Sequence, residues 1–388
     1  MADAPFLAAW RRLLRHRLAA AGLGLLAIIV AACGIGPELS PHLYDRVYAD
    51  YVRIGPALSP HPTPAESASV LDRIAARMHV SIVNRVVSDG VARVSLESAK
   101  TIDERLLAYF ARSDVFGPAR ILAREEDGNR LVVEAPIKPL RFLLGTDSNG
   151  RDLLTRTLVA GRVSLAVGLL ASGVALVIGV LWGAVAGYLG GRIDMAMMRI
   201  VDILYALPFI FFVILLVVFF GRRFVLVFAA IGAVEWLDMA RIVRGQTLTL
   251  KRQEFVQAAE ALGASTPAIL LRHIIPNAAS AIIVYLTLLV PKIILVESFI
   301  SFLGLGVQEP LSSWGVLIAD GARNIQGAPY LLLVPALFLT VTLFALNFIG
   351  DGLRDALAPP LVERSRVEAK QFLALQFHRT RGAAIARQ

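Results

Sequence analysis

Four carboxylates stand in or beside apolar stretches where an ordinary acid has no reason to be. Glu297 lies inside Ala278–Phe302, Asp202 near one end of Ile200–Phe220, and Glu235 and Asp238 toward the end of Phe224–Ala240. A charge at the centre of a hydrocarbon layer costs about 2.5–3.5 kcal/mol, so each acid must face protein or water. Such an acid either handles a charged group in transit or holds a neighbouring helix, for instance through Lys292 or Arg199. For Asp202, Glu235 and Asp238, close to the ends of their stretches, the helix bond is favoured. For Glu297 both readings stand, a gate or pathway residue and an interhelical bond. Other chemistry finds no support. The six histidines are scattered, with none paired at metal-ligand spacing, and His273 reads as a surface contact. The single cysteine, Cys33, offers neither a disulfide nor a thiolate metal site. None of the five lysines follows a glycine, so a phosphate-cradling GK[ST] loop is absent. No serine-nucleophile motif or paired-carboxylate geometry is evident. The chain is expected to hold no catalytic residue, cofactor or metal of its own.

The elements that carry these acids are hydrophobic blocks. The 388 residues are 56% hydrophobic and 18% charged, with mean hydropathy +0.66. A soluble domain is about 45–50% apolar and about 25% charged. Six apolar stretches read as membrane spans: Leu18–Gly36, Val163–Gly190, Ile200–Phe220, Phe224–Ala240, Ala278–Phe302 and Tyr330–Phe348. The net charge of +9 sits beside these spans, as anchors on the cytoplasmic side do, and no interleaved basic and aromatic groove points to nucleic acid. Arg11, Arg12, Arg15 and Arg17 ahead of a stretch ending at Cys33 mimic a cleaved lipoprotein signal. The first stretch is long enough to span, which favours a retained anchor.

Basic residues set the orientation. Arg192 and Arg199 follow span two, Arg241, Arg244, Lys251, Arg252 and Arg272 follow span four, and Arg364, Arg366, Lys370, Arg379, Arg381 and Arg387 fill the tail. These and the N-terminal arginines place both termini in the cytoplasm, against a minority signal from Arg222 and Arg223. The division expected is a cytoplasmic N-terminus (1–17), span one (18–36), an external segment (37–162), a core with spans two to six (163–355) and a cytoplasmic basic tail (356–388).

The external segment contains a small α+β insertion at about 64–140. Ser69–Met78 reads as a helix, and Val80–Val87 and Val91–Glu97 as strands joined at Asp89-Gly90. Thr101–Arg112 reads as a helix with a capping box from Thr101 and Glu104. Ala119–Glu125 and Arg130–Ala135 flank the hairpin signal Asp127-Gly128-Asn129. A lid or docking role is expected for it, with no catalytic constellation.

In span two Gly179, Gly183, Gly187 and Gly191 recur every four residues, a face for close helix packing. Packing within the chain is favoured over a sliding contact or partner interface. Pro208 and Pro291 each remove a backbone donor and bend their helices. Between spans four and five, Arg241 to Leu262 reads as a helix closed by a left-handed Gly263, followed by a helix N-capped by Thr266, opened by Pro267 and stopped by Pro276. Ala258, Ala259 and Ala261 are small enough to let a partner backbone approach.

That stretch resembles the cytoplasmic EAA loop of ABC importer permeases, through Gln257-Ala258-Ala259, Gly263 and Ile275-Pro276. Gln257 stands where the family has an acid, and Glu254 and Glu260 lie near enough to supply one. Leu144-Gly145-Thr146-Asp147-Ser148-Asn149-Gly150-Arg151-Asp152, Ser301 to Gly306 with Ser313-Trp314-Gly315, and Asn347 to Asp355 are similar to signatures of dipeptide and oligopeptide permeases, C-type subunit. Together they cover Leu144 to Leu361.

The resemblance implies an all-α polytopic protein with the type I ABC importer transmembrane fold and six helices, multi-pass in the inner membrane. It implies a homologous second permease, two ATPase subunits that hold ATP and magnesium, and an external solute-binding protein. The ATPases would dock on 241–277 at Glu254, Gln257, Ala258, Ala259, Glu260, Gly263 and Pro276. It implies import of di- and oligopeptides, while relatives carry nickel chelates, glutathione or other small solutes. A secondary transporter would show inverted repeats and more buried acids. A receptor would need a cytoplasmic effector domain.

Overall fold

A computed structural model describes residues 10–357 except 89, 126–127 and 222–223. The basic tail, Arg222, Arg223, Asp89 and Asp127 therefore lie outside the described residues. Helix α1, Arg17–Leu39, begins at His16, whose Nδ1 accepts from the Ala19 amide. Helix α4, Leu153–Leu189, starts ten residues before the apolar stretch because Asp152 caps it, taking the Thr155 amide at 2.7 Å. The expected third span is broken. Helix α5, Gly191–Ala206, and helix α6, Phe209–Phe220, meet at 81° across Leu207-Pro208, where the proline cannot continue the hydrogen-bond ladder.

Helix α7 is Phe224–Leu250, ten residues longer than the span expected there. A turn at Lys251–Gln253 separates it from helix α8, Glu254–Ala261, so the single helix expected over Arg241–Leu262 is two. The next helix, α9, runs unbroken from Thr266 to Phe302. Pro276 does not stop it. A π turn over Leu270–Ile274 precedes Ile275, and the missing proline donor falls where the ladder is already shifted. The N-cap is Ser265 rather than Thr266, which is the first helical residue. Helix α10, Trp314–Arg323, and helix α11, Tyr330–Leu357, complete the core.

Among the described residues, four helices are long and apolar enough to cross a membrane, or five if α5 and α6 count as one broken span. The sixth expected span coincides with α7, whose first eighteen residues carry Glu235, Asp238 and Arg241, so it is not among those counted by length and composition. Lys292 of α9 answers two of those charges, reaching Glu235 at 2.8 Å and Asp238 at 3.1 Å.

The insertion is a four-stranded antiparallel sheet in the order β1-β2-β4-β3. Its strands are β1 Ser81–Ser88, β2 Val91–Glu97, β3 Arg120–Glu125 and β4 Arg130–Pro136. Helix α2, Pro64–Met78, covers one face and begins a turn earlier than expected. Thr63 and Glu66 form its capping box, with Pro64 in the first turn. The box expected at Thr101 is absent: Asp103 caps a short 3₁₀ turn at Glu104–Leu107 that leads into helix α3, Ala108–Arg112. Alternate residues Ala92, Val94, Leu96, Leu131, Val133 and Ala135 face a core shared with Tyr48, Tyr51 and Phe142 from the flanking chain.

Candidate functional site

The elbow between α7 and α9 is built from two helix ends. Helix α8 closes on a Schellman motif, Gly263 N–H to Glu260 O at 2.9 Å and Ala264 N–H to Ala259 O at 3.0 Å, with Gly263 at φ +79°. Its inner face, Val256 and Ala259, packs with Ile269, Leu270 and Ile274 of α9 and with Val180, Tyr188, Met239 and Val243 of α4 and α7. Its other side is open: Glu254, Gln257, Ala258 and Gly263 are exposed, Phe255 is partly so, and Leu262 is 88% exposed. Of the alanines expected to admit a partner, Ala259 instead faces the chain's own core. Gln257 turns its amide back to the Arg252 carbonyl at 3.3 Å. Glu254 makes no ion pair or hydrogen bond among the described residues. Glu260 is tied inward, accepting from the Tyr188 hydroxyl at 2.7 Å. Pro276 lies exposed in the first turn beyond the π segment.

The glycine face joins α4 to α7. A Cβ at Gly179 would meet Met239 Cβ at 2.6 Å, and one at Gly187 would meet Thr247 Cβ at 2.8 Å. Gly183 is closed in the same way by Ala240, Val243 and Arg244. Gly191 does not belong to this face. It lies beyond the end of α4 at φ +54° and has nothing within 4 Å of its would-be Cβ. The contact these glycines make is within the chain.

Glu297 is fully buried. One carboxylate oxygen accepts from Ser164 of α4 at 3.0 Å and the other from Ser301 of α9 at 2.7 Å. Ser164 in turn accepts the Trp314 amide at 3.2 Å, and Ser313 accepts the Val316 amide while also bonding the carboxylate. The N-terminus of α10 thus reaches the acid through two hydroxyls, which places partial positive charge where no cation stands. Asp202 pairs with Arg241 at 2.9 Å rather than with Arg199, and Arg241 also lies over the Tyr205 ring. Asp194 and Arg244 make a two-pronged pair beside it. A cavity of about 630 Å³ between α5 and α7 is lined by these four residues and Arg199.

Two arrangements carry no signal in residue spacing. At the far end of α4, Arg151 and Arg156 are buried between Asp147 and Glu309, with distances of 2.9 Å from Arg151 to each acid. At the near end, Tyr188 joins α4 to the elbow. The first sits in a quoted signature, but its partner Glu309 is 158 residues away from Arg151.

Two family descriptions match the chain. Residues 179–362 match "Binding-protein-dependent transport system inner membrane component", and residues 5–66 match the N-terminal transmembrane domain of oligopeptide transport permease C. The chain is 59% identical over 229 residues to the oligopeptide transport system permease protein OppC of Escherichia coli K12, covering 59% of this chain and 76% of that one. The chain belongs to the binding-protein-dependent transport permeases. This permease is also 49% identical over 218 residues to the dipeptide transport system permease protein DppC of Bacillus subtilis, covering 56% of this chain and 68% of that one. A solved inward-facing MetNI methionine ABC transporter shares 16% identity with it at a TM-score of 0.45, over 53% of the permease and 97% of that chain. The permease is a multi-pass membrane protein with several long apolar helices. Residues 67–178, which include most of the insertion, fall between the two family matches.

Proposed function

We propose that this permease is the membrane-spanning subunit of an ATP-driven importer for di- and oligopeptides. Two separate ATPase subunits bind ATP and magnesium and dock on the elbow over 241–277. A homologous second permease completes the pathway, and an external binding protein delivers the solute to the side that carries the insertion. Both termini and the elbow lie on the ATPase side of the inner membrane, and this chain hydrolyses nothing itself.

The observation that carries the reading is the elbow. Helix α8 is held on one face by the chain's own core and leaves the other open, with Leu262 almost fully exposed beside a glycine-capped end. A passive pore has no use for a short, cross-braced helix offered outward in this way. The peptide cargo is supported by the relatives alone.

Gly263 supplies the test. Its would-be Cβ meets nothing within 4 Å, so a side chain there fits in space. Its φ of +79° is nevertheless costly for a β-branched residue, by about 1–2 kcal/mol. Gly263→Val is expected to leave the permease inserted and to uncouple ATP hydrolysis from peptide uptake in proteoliposomes. Failure of any ATPase subunit to co-purify with the wild-type chain would sink the reading outright. Uptake of a nickel chelate or glutathione, without uptake of peptides, would overturn the cargo and leave the motor in place.

A further inference from the structure

We infer that Tyr188 and Glu260 form the joint through which a push on α8 reaches the membrane-spanning helices. Helix α8 is connected to the rest of the chain by a three-residue turn at Lys251–Gln253 and by the left-handed Gly263. The turn is pinned to α4 by Lys251, whereas Gly263 itself carries no such tie among the described residues. The apolar contacts of Val256 and Ala259 hold the helix down but are not directional. A displacement of α8 becomes a defined movement elsewhere only if a directional bond fixes it to a rigid body.

That bond is the one from the Tyr188 hydroxyl to the Glu260 carboxylate, 2.7 Å, in the last turn of α8. Among the described residues it is the single side-chain hydrogen bond from α8 to a membrane-spanning helix. Its acceptor is charged, which makes it stronger than a neutral pair. Tyr188 is itself fixed. Its carbonyl accepts from Lys251 Nζ at 2.6 Å, the ammonium lies 5.1 Å from its ring centroid, and the ring is buried against the elbow's core. Directly before Tyr188 the glycine face begins, with Gly187, Gly183 and Gly179 in backbone-close contact with α7. Helices α4 and α7 therefore move as one body, and Tyr188 is the handle at its end. The outward residues Glu254, Gln257, Ala258 and Leu262 are left free to meet a motor, while Glu260 carries the load inward. Tyr188 and Glu260 are positioning residues in this account, since neither touches solute or nucleotide.

The inference rests on the importer reading, and the experiment separates the two. The assembled importer is purified through this chain and placed in proteoliposomes with its binding protein and a labelled tripeptide. Co-purified ATPase, basal hydrolysis, and tripeptide moved per ATP are measured. Tyr188→Phe removes one oxygen and is expected to keep ATPase assembly and basal hydrolysis at wild-type levels. Tripeptide per ATP is expected to fall by about tenfold, the factor for one hydrogen bond to a charged acceptor. Glu260→Gln still accepts from the phenol and should retain most of the coupling ratio, whereas Glu260→Ala should lose it as Tyr188→Phe does. The double variant Tyr188→Phe/Glu260→Ala should be no worse than either single one. An unchanged ratio in Tyr188→Phe, additive losses in the double variant, or loss of ATPase assembly in Tyr188→Phe would each overturn the joint while leaving the importer standing. Absence of ATPase or of tripeptide uptake in the wild type would overturn both.

Discussion

A single methyl group at Gly179 should separate the two helices that form the rigid body of the permease. An alanine Cβ there would lie 2.6 Å from Met239 Cβ, 2.7 Å from Met239 Cγ and 2.8 Å from the Trp236 carbonyl oxygen. Comfortable carbon–carbon contact is about 3.5–4.0 Å, so α4 and α7 must part by roughly an ångström locally. The carbonyl belongs to the backbone and Met239 is fully buried, so neither can swing aside cheaply. Overpacking of this kind costs about 1–3 kcal/mol. Gly173, on the same helix, is the control, because a Cβ there meets nothing within 4 Å. Its replacement by alanine should be neutral, or stabilising by up to about 1 kcal/mol from helix propensity. The readout is built in. Trp182 of α4 and Trp236 of α7 stand edge to face at 5.1 Å beside this contact, so tryptophan emission during SDS titration in mixed micelles follows the parting of the helices. Gly179→Ala should unfold at clearly lower SDS fraction than Gly173→Ala. Equal midpoints would refute close packing by the glycine face and with it the rigid pair on which the joint depends.

Three further outcomes follow from other contacts. Ser164→Ala should destabilise the permease by about 1–3 kcal/mol, because both the Trp314 amide and the Glu297 carboxylate lose a buried partner; thermal inactivation of solubilised permease measures this. Lys292→Met should lower membrane insertion by stranding Glu235 and Asp238, and adding Glu235→Gln with Asp238→Asn should restore the inserted yield on a blot. In the insertion, burial raises the Glu66 carboxyl, but hydrogen bonds from His61 and the Thr63 amide outweigh it and hold the pKa below its ordinary value. A depressed carboxyl contributes stability that is present above its unfolded pKa, about 4.3, and lost as pH falls through the folded one. Hydrogen exchange along α2 should therefore accelerate in acid below about pH 4, and Glu66→Gln should remove that dependence.

What the sequence disclosed and what it withheld divide along physical lines. Apolar stretches and strand pairs were legible because they rest on local composition and period. The strands of the insertion fall within a residue or two of expectation. Helix ends in the elbow were less so. Gly263 announced its left-handed cap, but a proline reads as a stop unless a π turn absorbs it, and nothing local foretold the one before Pro276. The spans at α5, α6 and α7 are less plain than their apolar stretches for opposite reasons: Pro208 breaks one stretch, and charges interrupt a helix that nevertheless continues. The partners of the buried acids were invisible except as candidates. Lys292 is one such candidate, whereas the hydroxyl nest of Glu297 draws on α9, α10 and α4, the last of them more than a hundred residues earlier in the chain.

The missing acid at Gln257 bears on how the elbow divides its labour. An acid whose task was to hold α8 in place would need a partner in this chain, and position 257 has none beyond its own preceding turn. The inward tie is made instead by Glu260, three residues on, whose carboxylate accepts from the Tyr188 hydroxyl while its position remains exposed. In the proposed importer, position 257 therefore belongs to the face offered to the ATPase. Replacing its acid by glutamine removes one charge from that face and leaves the brace to α4 untouched. In that reading, anchorage of the elbow and recognition by its partner rest on separate residues of one eight-residue helix. That separation lets Tyr188→Phe change coupling without changing assembly, and a variant at Gln257 should do the reverse.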